Sequence, residues 1–313
     1  MNFNNTKYFI SPLLGSNNEV EINKRDYDGL VFAKNEILAA LQFEEALHIT
    51  ILNHFDYETY IFEDSLQKSV QQIDEQQLGS IRIHANQRIS NTLASIYNYM
   101  QYSNRNIKLI KNKGDIFNQK RTDFLKKCTV FSFMSELRHY TQHYGFAASA
   151  FEISNGIKEV DGDEYHVTKL KPTVILSSLK SDNDFYEYYS QEGNEDPVMD
   201  KIRKDSINNL LKAKGTDKQD ITSLLRFYID KLWEMHLEIR AEIEPKITKR
   251  KKHILEMGKK ALSKGNLTYF DGFKVFKKNE AESSSSTIPI RIVFEHNALI
   301  KKYKYMHLSK MVP

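Results

Sequence analysis

Apolar residues recur every three or four positions along much of this chain, which is the pattern of helices that bury one face. Residues 31–53 are strongly apolar and rich in helix formers, so a first helix is expected there. A second is expected over 57–77, with Asn53, His54 and Asp56 as cap-capable polar positions between the two. Residues 79–112 carry Ile83, Ile89, Leu93, Ile96, Tyr97, Met100 and Ile107 at helical spacing. Gly114 and Asp115 interrupt this run, and 116–144 resumes it with Phe117, Phe124, Leu125, Phe131, Met134, Leu137 and Tyr140. Gly145 stands where a helix C-cap is expected. The short connection predicts a helical hairpin.

The period then changes. Residues 147–160 and 164–179 are β-branched and aromatic with partial alternation, and Asp161-Gly162 between them is a hairpin signal. Residues 180–200 read as acidic and irregular, 201–213 as a short helix, and 217–264 as one long helix or two in series divided at Pro245. Two further β-like segments, LTYFDGFKVFKK and TIPIRIVFEHNAL, flank Glu280 to Glu282 and the serines Ser283 to Ser286, a run expected to be a flexible connection. The two β pairs are read as able to join into one small sheet. The fold class is mainly α, with long helices and two small β-hairpin elements. Residues 1–30 are expected as a loosely docked N-terminal arm, 31–265 as a helical bundle with a β-hairpin insertion near 147–177, and 266–313 as a β-rich segment against the bundle. There is no internal repeat.

Composition narrows the class. With 12 Gly and 6 Pro in 313 residues, breakers are too few for a many-turned all-β fold. The only cysteine, Cys128, excludes an intrachain disulfide and a multi-cysteine metal knuckle, and is expected as a small core residue in a reducing compartment. The amino-terminal stretch lacks the pattern of a signal peptide, and no apolar run is long enough to span a membrane. A cytoplasmic protein is the expectation. The net charge of +4 says little, but residues 246–264 hold eight Lys and Arg against Glu256 alone. Lys249, Arg250, Lys251 and Lys252 are the candidate contacts to a phosphate backbone, and a solvated helix face is the plainer alternative.

The densest candidate chemistry is FMSELRHYTQHYGF at 133–146. Arg138 offers a permanent charge and a planar fork of donors suited to phosphate. Five positions later, His143 can move a proton near neutral pH. Such a pair could cut RNA without a metal: the 2′-hydroxyl attacks phosphorus, histidine acts as general base or acid, and arginine stabilises the phosphorane-like charge. Five positions rotate a helix by about 140°, so convergence requires a loosened helix end or a groove between two copies. Spacing alone leaves open an exposed Arg and a helix-end His. Glu136, His139 and His143 also share a face at metal-ligand spacing, with Glu44 and Glu45, or Glu234 and Glu238, as candidate completions and no second Glu-x-x-His. Tyr97, Tyr99 and Tyr102 near Arg105 and Lys108 suit either a core or base stacking. His236 and Arg240 beside Trp233 read as a packed helix face.

The stretch Leu137-Arg138-His139-Tyr140-Thr141-Gln142-His143 resembles the catalytic segment of HEPN ribonuclease-like proteins, in which an arginine and a histidine five apart are the signature. Arg88-Ile89-Ser90-Asn91-Thr92-Leu93 and Ser95-Ile96-Tyr97-Asn98-Tyr99 are similar to the helix before it, and Trp233-Glu234-Met235-His236 with Arg240 to a helix that follows in longer members. The match covers about residues 85–146, more loosely to about 245. It implies a helical bundle, usually dimeric, that cleaves single-stranded RNA without a metal or other cofactor, often as a toxin or phage-defence effector with an antitoxin or other partner protein. Arg138 and His143 are the implied catalytic pair and His139, where an asparagine is commoner, an assisting residue. Some members keep only the capacity to bind RNA or a protein. No glycine-rich phosphate loop is present.

Overall fold

In a computed structural model of the chain, the described residues are 6–13, 18–70, 75–111, 115–190, 197–278, 283–303 and 308. Strands β1 (Lys7–Pro12) and β2 (Val20–Ile22) precede the long helices α1 (Lys24–Val70) and α2 (Glu75–Ile110). Helices α3 (Ile116–Lys127) and α4 (Thr129–His143) lead to the hairpin β3 (Ala150–Val160) and β4 (Asp163–Ile175). Then come α5 (Leu176–Ser181), α6 (Asn183–Ser190), α7 (Pro197–Lys214), β5 (Lys218–Asp220) and the long helix α8 (Ile221–Leu262). Strands β6 (Gly272–Lys278) and β7 (Ser283–Pro289) and helix α9 (Arg291–Lys302) complete the order. The protein is mainly helical with two small antiparallel sheets.

The chain divides into two compact units: Met1–Ala46 with Gln101–Phe117 and Leu237–Tyr305, and Leu47–Met100 with Asn118–His236 and Met306–Pro313. The first unit holds the sheet ordered β2-β1-β6-β7, in which Ile10, Phe273, Val275 and Ile288 are fully buried. The second holds the sheet ordered β3-β4-β5 and the segment 129–146.

Where the sequence suggests two helices between 31 and 77, there is one. The buried positions of α1 never lose helical phase: Leu30, Ala33, Ile37, Ala40, Glu44, Leu47, Ile51, His54, Tyr57, Ile61 and Asp64 follow one another at intervals of three or four. The polar residues expected to mark a break are absorbed. His54 is fully buried with its Nε2 2.9 Å from Glu58, and the Asn53 amide donates to the Ile49 carbonyl at 2.9 Å. Pro245 likewise leaves α8 continuous. It lies on the exposed face together with Ala241, so water can satisfy the carbonyl that lacks a donor.

Other differences have equally local causes. The segment expected as an arm supplies β1 and β2, with β1 paired antiparallel to β6. The serine run is not a loose connection, because Ser283 to Ser286 pair with Lys278 to Val275 in β7. Glu280 to Glu282 and Gly114 lie outside the described residues. RIVFEHNALIKK is helical, since Ile292, Val293 and His296 bury one helical face where a strand would alternate. The acidic stretch is helical through Ser190, and Asp182 accepts from the Phe185 N–H at 3.1 Å to start α6. The two β pairs stand in separate sheets. The Asp161-Gly162 hairpin has positive φ at both turn residues (56° and 89°), a type I′ turn closing the Val160–Asp163 register. No described helix is long and apolar enough to cross a membrane.

Candidate active site

Helix α4 carries the candidate pair. It begins at Cys128, whose extended backbone (φ −124°, ψ 103°) separates it from α3. The Cys128 sulfur accepts from the Phe131 N–H at 3.4 Å, so this half-buried residue is an N-cap and not a core filler. Burial pushes its thiol above the usual range, the opposite of an activated nucleophile. Val130, Phe131, Phe133, Met134 and Leu137 bury the inner face of α4. Ser132, Ser135, Glu136 and His139, spaced three, one and three apart, form a second stripe that lines a cavity of about 250 Å³.

Arg138 flanks that stripe and also lines the cavity. Its guanidinium lies 3.6 Å from the centre of the Tyr97 ring, and its buried Nε has no hydrogen-bond partner. Among the described residues it has no carboxylate partner. Burial lowers its pKa, the mark of a positive charge held away from water.

The His139 ring stacks on Tyr188 of α6 at 3.8 Å between centres and 19° between planes, and lies 4.7 Å from the His143 ring. Burial, and then the nearby His143, Arg138 and Arg203, bring its pKa down to about 4. It is therefore neutral near pH 7, and its buried Nε2 has no hydrogen-bond partner. His143, the last residue of α4, is exposed and does not line the cavity. No hydrogen bond or ring contact joins Arg138 to His143 among the described residues. His139 stands between them and senses both.

The exit from α4 is held by an aromatic frame. Tyr144 ends the helix with its N–H on the Tyr140 carbonyl at 2.9 Å, and Tyr140 and Tyr144 each meet Phe185 edge-on, at 5.1 and 5.5 Å. Tyr140 also donates to Asp182 at 3.3 Å. A Cβ at Gly145 would fall 2.6 Å from the Tyr140 hydroxyl, so a larger residue there would displace the Tyr140 ring. Beyond it, the Asn86 side chain of α2 clamps the Ala148 backbone with bonds of 2.8 and 3.2 Å.

Residues from segments without an evident motif complete the cavity. Tyr188 and, from α7, Arg203 stand beside His139, and Arg203 pairs with Asp200 at 3.2 Å. Arg121 enters from α3 and Tyr228 from α8, the latter sharing a 3.2 Å hydrogen bond with Ser135. These positions lie far from Arg138 in sequence, and only helix packing brings them together.

The other candidates are distributed differently. Glu36 holds Arg250 at 2.6 Å and Lys246 at 2.7 Å. Lys251 is buried, with its ammonium on Glu244 at 3.3 Å and on Asn297 at 3.0 Å. Lys252 is exposed and 3.8 Å from Glu256, and Lys249 is exposed. Tyr97 lines the cavity, while Tyr99 is fully buried and shares a 3.1 Å hydrogen bond with the buried His236. Tyr102 lies under Arg105 at 5.6 Å, Trp233 stacks on His236 at 5.8 Å, and Arg240 is bound by Glu44. Among the described residues no three His, Cys, Asp or Glu side chains gather as metal ligands, Glu136, His139 and His143 included.

The chain matches no family model, no curated protein and no solved structure.

Proposed function

We propose that this protein is an endoribonuclease of the HEPN type, cutting single-stranded RNA without a metal through Arg138 and His143. The observation that carries the reading is the state of Arg138: a half-buried guanidinium, stacked on Tyr97 and without a carboxylate partner among the described residues, at a cavity beside a neutral His139. A buried cation without a counter-charge is costly unless an anion arrives to meet it. A phosphodiester is such an anion, and the fork of Arg138 suits its oxygens.

In this reaction the 2′-oxygen forms a bond to phosphorus as the bond from phosphorus to the 5′-oxygen breaks. His143, exposed to incoming RNA, takes the 2′-hydroxyl proton. Arg138 stabilises the charge that builds on the non-bridging oxygens. The departing 5′-oxygen takes a proton from a second imidazole, and a second copy of the chain in a symmetric homodimer supplies it. The products are a 2′,3′-cyclic phosphate and a 5′-hydroxyl. His139, with a pKa of about 4, is too weak a base for the first step near pH 7 and acts by orienting His143. A cytoplasmic toxin or phage-defence role, restrained by an antitoxin or other partner protein, belongs to the same proposal.

A second reading, an inactive HEPN-like module that binds RNA or a protein, is favoured by one observation: Arg138 and His143 do not touch. Incubating labelled single-stranded RNA with the protein in excess chelator separates the two. The parent should cut and leave cyclic phosphate ends, whereas Arg138→Ala and His143→Ala, folded as judged by circular dichroism, should not. Undiminished cutting by both variants would refute the assignment, and salt-sensitive binding without product would establish the module.

A further inference from the structure

The cavity beside Arg138 holds more positive charge than its carboxylates can neutralise. Three guanidinium groups line it, from Arg121, Arg138 and Arg203, against Glu136 and Asp200. Arg203 is committed to Asp200 at 3.2 Å and is stabilised further by Glu136 and by a hydrogen bond with Tyr188. Arg121 and Arg138 have no carboxylate partner among the described residues. The two come from different helices, α3 and α4, and line the same cavity. His139 is neutral and adds nothing to the balance at pH 7.

The rest of the lining is not an ion site. Leu93, Met100, Leu125 and Ile202 form an apolar wall. The volume of about 250 Å³ far exceeds the ~30 Å³ share of a single water. It falls just below the range of ordinary small-ligand pockets, which begins near ~300 Å³. This is room for one nucleotide unit and too little for several. Two cations that line one cavity with several apolar side chains suit a phosphate joined to a flat ring.

We propose that this cavity receives one nucleotide of the RNA beside the cut, with its phosphate held between Arg121 and Arg138 and its base against the wall of Leu93, Met100, Leu125 and Ile202. The inference rests on the ribonuclease reading and extends it, making Arg121 a substrate-binding residue and the enzyme sensitive to the base next to the cleaved bond. Arg121 meets the same phosphate as Arg138, so its charge supports the transition state as well as binding.

The test is calorimetric titration of the full chain with adenosine 3′-monophosphate and cytidine 3′-monophosphate, each beside its nucleoside and inorganic phosphate. The nucleotides should bind at least tenfold more tightly than either fragment. Arg121→Ala should weaken them at least tenfold and Arg121→Lys less. In RNA cleavage, Arg121→Ala should lower kcat/KM at least tenfold, with Arg121→Lys losing less, as expected of a charge that meets the reacting phosphate. Cleavage by a protein that binds nucleotides no better than phosphate would overturn the cavity assignment and leave the ribonuclease reading standing. Nucleotide binding by a protein that cuts no RNA would overturn the RNA source and the ribonuclease reading together, leaving a site for free nucleotide.

Discussion

The two concentrations of positive charge in this chain have opposite fates. The run at 246–252 in α8 is conspicuous in sequence, yet most of it is engaged by carboxylates: Lys246 and Arg250 by Glu36, and Lys251 by Glu244. The arginines around α4 are scattered through the sequence, yet two of them, Arg121 and Arg138, meet at one cavity with no carboxylate partner among the described residues. Charge density in a sequence is thus a poor guide to availability. What matters is whether the fold supplies an intrachain anion. Where it does, the cation is architecture. Where it does not, the cation is open to an anion from outside the chain.

Removing an anion from the paired side should damage the fold. Glu44 is nearly fully buried and binds Arg240 through both carboxylate oxygens. Glu44→Ala would break this pair and remove the carboxylate that holds the guanidinium, and breaking a buried pair costs about 3–5 kcal/mol. Chemical denaturation should show a loss of that size. The double variant Glu44→Leu/Arg240→Met should recover most of it, because it removes the guanidinium as well. Equal stability of the parent and Glu44→Ala would mean that the paired side is not architectural.

On the unpaired side the expected effect lies in activity. Removing one donor that meets transition-state charge costs about 10²–10³-fold in turnover. Arg138→Ala should lose at least that in RNA cleavage while its stability changes by no more than ~2 kcal/mol, the contribution of the stack on Tyr97. The contrast with Glu44 is the point. One substitution should damage the fold and the other the chemistry. Stability lost by Arg138→Ala to the same extent as by Glu44→Ala would erase the distinction.

The same contrast explains what the sequence made legible. The helical class, the hairpin at Asp161-Gly162 and the stretch 133–146 are local properties, set by periodicity, turn chemistry and residue type. The unbroken α1 was not legible, because His54 and Asn53 look like a break until their partners Glu58 and the Ile49 carbonyl are seen. The strand of Ser283 to Ser286 depends on β6 lying alongside it. Arg138 and His139 can be picked out from the sequence by their chemistry, but Arg121, Tyr188 and Arg203 cannot, since isolated residues acquire meaning only through packing. The state of charge of His139 is a packing result of the same kind.

That state of charge gives a smaller, pH-dependent test. An unfolded histidine titrates near 6.5 and His139 in the fold near 4. Between those values the unfolded chain binds more protons, so lowering the pH favours unfolding. The contribution is complete above pH 6.5 and is lost as the pH falls towards 4. Melting temperatures measured from pH 7.5 to 4 should decline less steeply in His139→Gln than in the parent. Superimposable profiles would show that His139 is not held neutral by burial and its cationic neighbours.

The smallest effect belongs to the exposed remainder of the basic run. Lys249 and Lys252 are open to solvent, and the Lys252–Glu256 pair at 3.8 Å contributes little to stability, as exposed pairs generally contribute only about 0–1 kcal/mol. If these two lysines touch an RNA backbone at all, each contact releases about one counterion, so replacing both with alanine should reduce the salt dependence of binding by a slope of about 1–2 on a logarithmic plot. Turnover at saturating RNA and thermal stability should stay as in the parent. Changing Lys251 instead should lower stability, because its ammonium is buried against Glu244 and Asn297. Measured side by side at several salt concentrations, the pair Lys249→Ala/Lys252→Ala and the single Lys251→Ala divide one short basic run into a solvated part and a structural part. A salt slope unchanged by the double variant would leave RNA contacts to the arginines around α4 alone.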